Sequence, residues 1–285
     1  MIWDVTIATH DGAPDGTPDD ISLADAIQET GATCRFAVWS DPDVDWAASA
    51  VTIVRSTWDY HLRPARWRGW IYRLDGITRL VNAPELLRWN TDKSYLLDLS
   101  RRGIGVVPTL FVADAGEADA AFASLAARGW DDVVVKPSIS ASAHGAARFR
   151  GRALPSARAH ALALLRHSAV LVQPFQRGVL DDRERSLVLL GGRFSHAFSK
   201  AAFDAGAAGG QSAVACHEST AGERMLADRV LASLPVRPAY ARVDLVPTTA
   251  GPLLMELELI EPHLALDTKA GSAAALARAA LDLDS

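Results

Sequence analysis

Cysteine is scarce in this chain. Cys34 and Cys216 are the only two in 285 residues, and their separation matches no metal-binding spacing, so they read as reduced thiols. Basic charge is not in excess either. The 29 Lys and Arg are outnumbered by 34 Asp and Glu, for a net charge of −5. That balance argues against a broad nucleic-acid or membrane surface and leaves room for a local basic pocket. No apolar run approaches the ~20 residues of a membrane span. Met1, Ile2, Trp3, Asp4 and Val5 lack the basic and apolar regions of a secretory signal. There is no internal repeat, no low-complexity tail and no arrangement resembling a nucleophilic triad. A cytoplasmic protein is expected. What is present is 49% apolar and 22% charged residues, ordinary for a globular chain and enough for two or three packed subdomains.

The most informative pattern lies near the C-terminus. Arg242 and Asp244 stand two apart between apolar residues, and Glu256 and Glu258 stand two apart between Met255, Leu257 and Leu259. Side chains alternate faces along a strand, so each arm shows its charges on one face and buries the other. Residues 247–252 read as a tight connection, and the hairpin is expected to bring Asp244 opposite Glu256 and Glu258. Three carboxylates on a sheet rich in Leu and Val repel unless a cation sits among them. Hard oxygen donors suit Mg²⁺, which shares phosphate oxygens from a nucleotide. Spacing alone fits equally a hairpin with one solvated, charged face.

Residues 1–84 read as a small α/β unit, with buried strands at 5–8, 34–39 and 50–54 and helices at 22–30 and 64–75. The third strand ends in Arg55, Ser56, Thr57, Trp58, Asp59 and Tyr60. Polar residues at the carboxyl end of a buried strand lie where open α/β sheets bind ligands; a cap for the next helix is the alternative reading.

A second unit, residues 85–172, opens on a helix at 85–102 that carries Lys93, followed by a strand at 106–110 and a helix at 118–128. The buried strand 132–137 ends in Lys136 and Pro137, and residues 138–146, including Ser138, Ser140 and Ser142, are nearly all small. Small residues let backbone N–H groups approach phosphate oxygens, although the Gly-Lys-Ser/Thr ending of a Walker A loop is missing and a plain hairpin loop fits as well. A strand at 147–149, a helix at 156–167 and a strand at 169–172 follow. The third unit, residues 173–285, starts at Gln173, Pro174 and Phe175. Strands at 185–190 and 193–200 surround Gly191 and Gly192, a hairpin signal, and helices are expected at 221–234 and 270–283.

This order of features resembles the ATP-grasp superfamily of ligases: a lysine on an early helix, then strand-Lys-Pro, a small-residue loop, a hinge strand, an acidic residue before a hairpin, and a closing carboxylate pair. The resemblance spans residues 85–285, and residues 1–84 resemble the substrate-side domain preceding the grasp in the same enzymes. It implies an α/β (α+β) ATP-grasp fold with Lys93 and Lys136 on the nucleotide phosphates, Gln173 to Phe175 reading adenine through backbone groups, and Glu184 on the ribose. Lys200 matches a cationic position near the phosphates, and Arg242 an arginine that steadies the developing acyl phosphate. Asp244 and Glu256 match Mg²⁺ ligands. Glu258 stands where the family usually has asparagine, which adds charge at that site. Ser186 replaces an arginine of some relatives, so the acceptor pocket need not be theirs. Each lysine has the alternative of a solvated surface charge.

The implied reaction joins a carboxylate to an amine with ATP and Mg²⁺ as cofactors. The carboxylate is first phosphorylated, an amine then attacks, and ADP and phosphate leave. Because an acyl phosphate is easily hydrolysed, loops that exclude water are expected at 138–146 and 204–212. The segment from Arg55 to Tyr60 is the expected wall for a small amino-acid-like substrate. That segment and the late Met-Glu-Leu-Glu-Leu-Ile-Glu-Pro run look like a bacterial subgroup that includes the D-cycloserine-forming ligase of antibiotic biosynthesis, which closes a ring within O-ureido-D-serine. A nucleotide-binding phosphotransferase or regulatory protein on the same fold is the alternative from another class. No nucleic acid or membrane partner is expected, and a homodimer stays open as the assembly.

Overall fold

A computed structural model of the protein describes residues 3–181, 183–201 and 214–282; the 204–212 stretch lies outside them. Strand β1 (Trp3–Thr9), β2 (Cys34–Val38), β3 (Ser49–Val54) and β4 (Arg79–Val81) form a parallel sheet in the order β2-β1-β3-β4. β4 is a strand that the sequence reading of this unit does not include. The first helix, Pro18–Glu29, starts four residues before the expected 22, because Thr17 and Asp20 close a capping box ahead of Pro18. Helix Pro64–Leu74 buries Trp67, Trp70, Ile71 and Leu74, and the two tryptophans meet Trp39 edge-on from the end of β2.

The single helix expected at 85–102 is two helices, Pro84–Asn90 and Tyr95–Arg101, with Lys93 in the break. The cause is polar competition for the backbone. Asp92 accepts from the Ser94 N–H at 2.9 Å and from the Ser138 hydroxyl at 2.9 Å, while the Lys93 N–H is donated to the Ser138 carbonyl at 2.8 Å. The strand expected at 106–110 is also interrupted. Val106 makes only an isolated bridge to Leu254, and β5 (Leu110–Val112) begins beyond Pro108, which has no N–H to extend a ladder.

β5 joins β6 (Asp132–Pro137), β7 (Ala147–Arg150) and β8 (Val170–Pro174) in an antiparallel sheet of order β5-β8-β6-β7. It has its own core, centred on Val112, Val133, Val135, Val170 and Val172 under Ala157 and Ala161. The last sheet is antiparallel, in the order β11-β10-β9-β12-β13. It comprises β9 (Glu184–Leu190), β10 (Arg193–Lys200), β11 (Val214–Cys216), β12 (Tyr240–Val246) and β13 (Leu253–Glu258).

The first and last sheets share a core: Val5, Ile7 and Ile53 pack with Tyr240, Leu276 and Ala277 of the final unit. Asn82 reinforces the seam by donating to the carbonyls of Tyr240 and Leu259 at 2.9 and 2.8 Å, and the Tyr240 hydroxyl donates to the Val54 carbonyl at 2.5 Å. The middle sheet thus stands over a joined base. Among the described residues no helix is long and apolar enough to cross a membrane.

Candidate active site

A cleft with a cavity of about 380 Å³ opens between the middle sheet and the base. Five strands deliver most of its charges: β6 brings Lys136, β9 Glu184, β10 Lys200, β12 Arg242, and β13 Glu256 and Glu258. β12 and β13 pair with Asp244 opposite Glu256 and Arg242 opposite Glu258, so Glu258 faces the arginine rather than Asp244 as the sequence suggested. β9 lies on the other side of β12, with Ser186 opposite Asp244. The outer edge of β13 is held by residues flanking the helix break. Asn90 donates to the Leu257 carbonyl at 2.8 Å and accepts from the Leu259 N–H at 2.7 Å, and the Tyr95 hydroxyl accepts from the Leu257 N–H at 3.0 Å.

The carboxylates are neutralised by the protein's own cations. Asp244 is buried and accepts from Arg242 Nε and Nη2, each at 2.9 Å, from the Ser186 hydroxyl at 2.7 Å and from Lys200 Nζ at 3.1 Å. Burial works against its charge, but Arg242 and Lys200 outweigh it and hold the carboxyl well below the usual range. Glu258 pairs with Arg242, yet burial wins there and raises its pKa. Glu256 lies 3.0 Å from Lys93 Nζ and 4.0 Å from Lys136 Nζ, and these lysines overcome burial to lower its pKa. Lys136 itself is lowered by burial despite Glu256. Glu184 and Lys200 are 2.7 Å apart. Burial pushes Glu184 up to about 7 against the pull of Lys200, whereas Lys200 has Asp244 and Glu258 as well and stays raised in spite of its burial.

Of the nucleotide-site candidates, Lys93, Lys136, Ser140, Ser142, Gln173, Pro174, Phe175, Glu184 and Lys200 all line the cleft. Ser138 does not; its hydroxyl is spent on Asp92. Lys93 Nζ donates to the Ser140 carbonyl at 2.5 Å, which ties the small-residue loop to the helix break. That loop turns through left-handed conformations at Ser142, Ala143 and Gly145, and Ile139 and Ala141 pack against the tryptophan cluster of the first unit. At the hinge, the Phe175 N–H is donated to the Asp132 carbonyl at 2.8 Å and Pro174 has none, so neither N–H is among the groups left to read a base. An apolar patch of Val107, Phe175 and Val179, with Val134 and Met255 beside it, lies on this side and suits a flat ring.

For a divalent cation the donor chemistry fits, since Glu256 and Glu258 are hard oxygen ligands with side chains about a quarter exposed to the cleft. Asp244 lies beneath Arg242 with both oxygens engaged. Among the described residues no three His, Cys, Asp or Glu side chains are gathered closely enough to hold an ion as they stand.

The substrate-side segment divides. Trp58 and Tyr60 line the cleft. Arg55 and Ser56 line a small void behind it with Asp19 and Asp20, and Trp58, Glu261 and His263 border both the void and the cleft. There Arg55 donates to Asp20 at 3.2 Å and to the Pro262 carbonyl at 3.0 Å, while Arg55 Nη1, Ser56 Oγ and Thr57 Oγ1 are buried without a partner among the described residues. Asp59 is not at the cleft. Its carboxylate accepts from Trp39 Nε1 at 2.6 Å and pairs with Arg63, and it caps nothing with its side chain. Glu261 and His263 line the cleft although sequence reasoning passed over them. The third glutamate of Glu256, Glu258 and Glu261, placed just before Pro262, was the available signal for the first; Asn90 carried none.

Residues 5–82 match the family described as D-cycloserine synthetase DcsG, N-terminal domain. The chain is 32% identical over 260 residues to the cycloserine biosynthesis protein DcsG of Streptomyces lavendulae, covering 86% of each chain. The crystal structure of D-cycloserine synthetase DcsG matches with a TM-score of 0.88 at 29% identity, over 98% of this chain and 99% of that one. The ATP-grasp ligase PsnB, solved with a precursor variant, Mg and ADP, shares the fold at a TM-score of 0.67 and 14% identity over the full length of both chains. ATP and Mg²⁺ use is a general property of that fold family. The chain belongs to the D-cycloserine synthetase family, ATP-dependent ligases built on the ATP-grasp fold.

Proposed function

We propose that the protein closes the ring of D-cycloserine within O-ureido-D-serine, activating the substrate carboxylate as an acyl phosphate at the expense of ATP. One observation carries the choice of substrate. The match to the D-cycloserine synthetase family covers residues 5–82, the unit that supplies Trp58 and Tyr60 to the cleft, so the likeness extends to the substrate side and not only to the nucleotide half. Residues 1–84 then act as the substrate-side domain, 85–172 as the lid, and 173–285 as the unit carrying the carboxylates. A cytoplasmic location, where Mg-ATP is supplied, accompanies this reading.

Lys93 and Lys136 are held by Glu256 at 3.0 and 4.0 Å. Nucleotide phosphates would be a stronger anion for these two lysines, which would leave the Glu256 carboxylate free to hold a cation. Glu256 and Glu258 would hold Mg²⁺, with Asp244 joining them if Arg242 or Lys200 gives up one of its oxygens, and the ion would neutralise charge on the transferring phosphoryl group. Arg242 is kept in one orientation by Asp244, Glu258 and the His263 carbonyl, so its guanidinium is preset for charge developing on the acyl phosphate. Lys200 stays cationic for the same task, and we assign the ribose hydroxyls to Glu184, now paired with Lys200. Trp58, Tyr60 and the 138–146 loop exclude water from the activated carbonyl.

The test is direct. The purified protein with Mg-ATP and O-ureido-D-serine should release ADP and yield D-cycloserine by mass spectrometry. ADP release only with pairs of other amino acids would make it a two-substrate ligase. No substrate-dependent ADP release at all would end the ligase assignment.

A further inference from the structure

Four carboxylates line the cleft: Glu184, Glu256, Glu258 and Glu261. The first three each face a cation, Lys200, Lys93 and Arg242 respectively. Glu261 does not. It is 9% exposed, yet it forms no ion pair with a described residue, and its carboxyl is supported only by its own backbone N–H. Its position is set by the main chain: Trp58 Nε1 donates to the Glu261 carbonyl at 3.1 Å, and Pro262 follows, its own carbonyl held by Arg55 at 3.0 Å. Glu261 thus lies where the cleft meets the void behind it, lining both with Trp58, with the negative charges of Glu258 and Glu256 and the ammonium of Lys93 acting on its carboxyl and its own charge felt by Tyr60.

A buried carboxyl without a cation is costly to keep charged. Burial and then Glu258 push it up to about 8, so its ionised form, the one that can take a proton, is the minor form near neutral pH and grows as pH rises through that value. Its own backbone N–H leaves it acceptor capacity to spare, and the group in this reaction that carries a proton to be lost is the attacking nitrogen.

We propose that Glu261 is the base of the second half-reaction, seating the N–H of the nucleophilic nitrogen and taking its proton as the ring closes. The inference rests on the acyl-phosphate reading above. The nitrogen lone pair attacks the activated carbonyl carbon, the new C–N bond forms, and the bond from that carbon to the phosphate oxygen breaks. Inorganic phosphate leaves with the electron pair, and the nitrogen's proton passes to a Glu261 oxygen. No oxidant is needed, but the carbamoyl group stays on that nitrogen after ring closure: water adds to its carbonyl, the bond to the ring nitrogen breaks with that nitrogen regaining a proton, and the carbamate released falls to carbon dioxide and ammonia.

Two measurements separate this proposal from the reading beneath it. With wild-type protein and substrate labelled with ¹⁸O in its carboxylate, phosphate should acquire the label. If it does not, the acyl-phosphate reading falls and the assignment of Glu261 falls with it. With Glu261→Gln, product formation should drop on the order of 100-fold, the lower end of what a positioned base supplies. Substrate-dependent ADP release should persist, and added hydroxylamine, a nucleophile that needs no protein base, should intercept the acyl phosphate as a hydroxamate. The melting temperature should hold near neutral pH, since the carboxyl is then mostly protonated and the amide keeps its shape, and Glu261→Asp should restore part of the product.

Product formation within threefold of wild type in Glu261→Gln would overturn the proposal. So would joint loss of hydroxamate and product in a folded variant, because Glu261 would then act at or before phosphoryl transfer. If the glutamine variant does not fold, the aspartate variant decides by the same split between retained ADP release and reduced product.

Discussion

Asp244 should carry fold stability as well as function, and the difference from Glu256 is measurable. Asp244 accepts two bonds from Arg242 at 2.9 Å, one from Ser186 at 2.7 Å and one from Lys200 at 3.1 Å, all in a buried setting. Asp244→Asn keeps the shape but leaves one oxygen to accept, and turns an amide NH₂ toward the other donors. Breaking a buried pair by neutralising one partner costs about 3–5 kcal/mol. The lower end applies, because Arg242 keeps Glu258 and the His263 carbonyl and Lys200 keeps Glu184.

At about 2–4 °C per kcal/mol for a chain of this size, the melting temperature should fall by roughly 6–12 °C. Glu256 is about a quarter exposed and Lys93 retains the Ser140 carbonyl at 2.5 Å, so Glu256→Gln should cost only about 1 kcal/mol. Both variants should lose turnover. Scanning calorimetry checks the order, and the reasoning fails if Asp244→Asn melts within about 2 °C of wild type or if Glu256→Gln falls as far.

The pH dependence has a definite sign. Asp244 is held below its ordinary 3.8, so its contribution is complete above the unfolded value and is lost as pH falls through the folded one. The gap between wild type and Asp244→Asn should therefore narrow in acid below that value.

Other outcomes follow from the cleft. Mg-ATP at about 100 times its dissociation constant should stabilise the protein by about 2.7 kcal/mol, and a thermal-shift titration without any rise would count against a nucleotide site. Lys136→Ala should weaken ATP binding by about 1.5–3 kcal/mol, read by calorimetric titration; an unchanged dissociation constant would return Lys136 to an ordinary ion-pair role. Trp58→Ala should raise KM for the amino-acid substrate and leave that for ATP nearly unchanged. Asp59→Asn should act differently, lowering the melting temperature through loss of the Trp39 and Arg63 contacts; a selective rise in substrate KM with no loss of stability would show instead that Asp59 reaches the substrate.

The two-residue spacing of Arg242 with Asp244 and of Glu256 with Glu258 was enough to place four charges on one face of a hairpin, because strand alternation is a local property of the backbone. Lysine occurs only at 93, 136, 200 and 269, and the first three line the cleft. An apolar strand running into Lys136 and Pro137 signalled one of them without any tertiary information. The parallel unit at the N-terminus was legible for the same reason, since its buried strands are short apolar runs separated by helical periodicity.

Partner choice was not legible. Whether a carboxylate meets a metal, a lysine or an arginine depends on atoms brought together from distant segments, such as Ser186 reaching Asp244 and Lys93 reaching Glu256. The break that frees Lys93 from a helix is made by Ser138, on the far side of the middle sheet's first long strand in sequence. Asp59 left the substrate wall for Trp39, and the Phe175 N–H was taken by Asp132. Glu261 stands apart for a complementary reason: its three-residue offset from Glu258 was visible, but only the packed structure decided that no described cation reaches it. Local periodicity sets which face a side chain occupies, whereas the charge it meets there is a long-range outcome of packing, and in this protein the chemistry depends on the second.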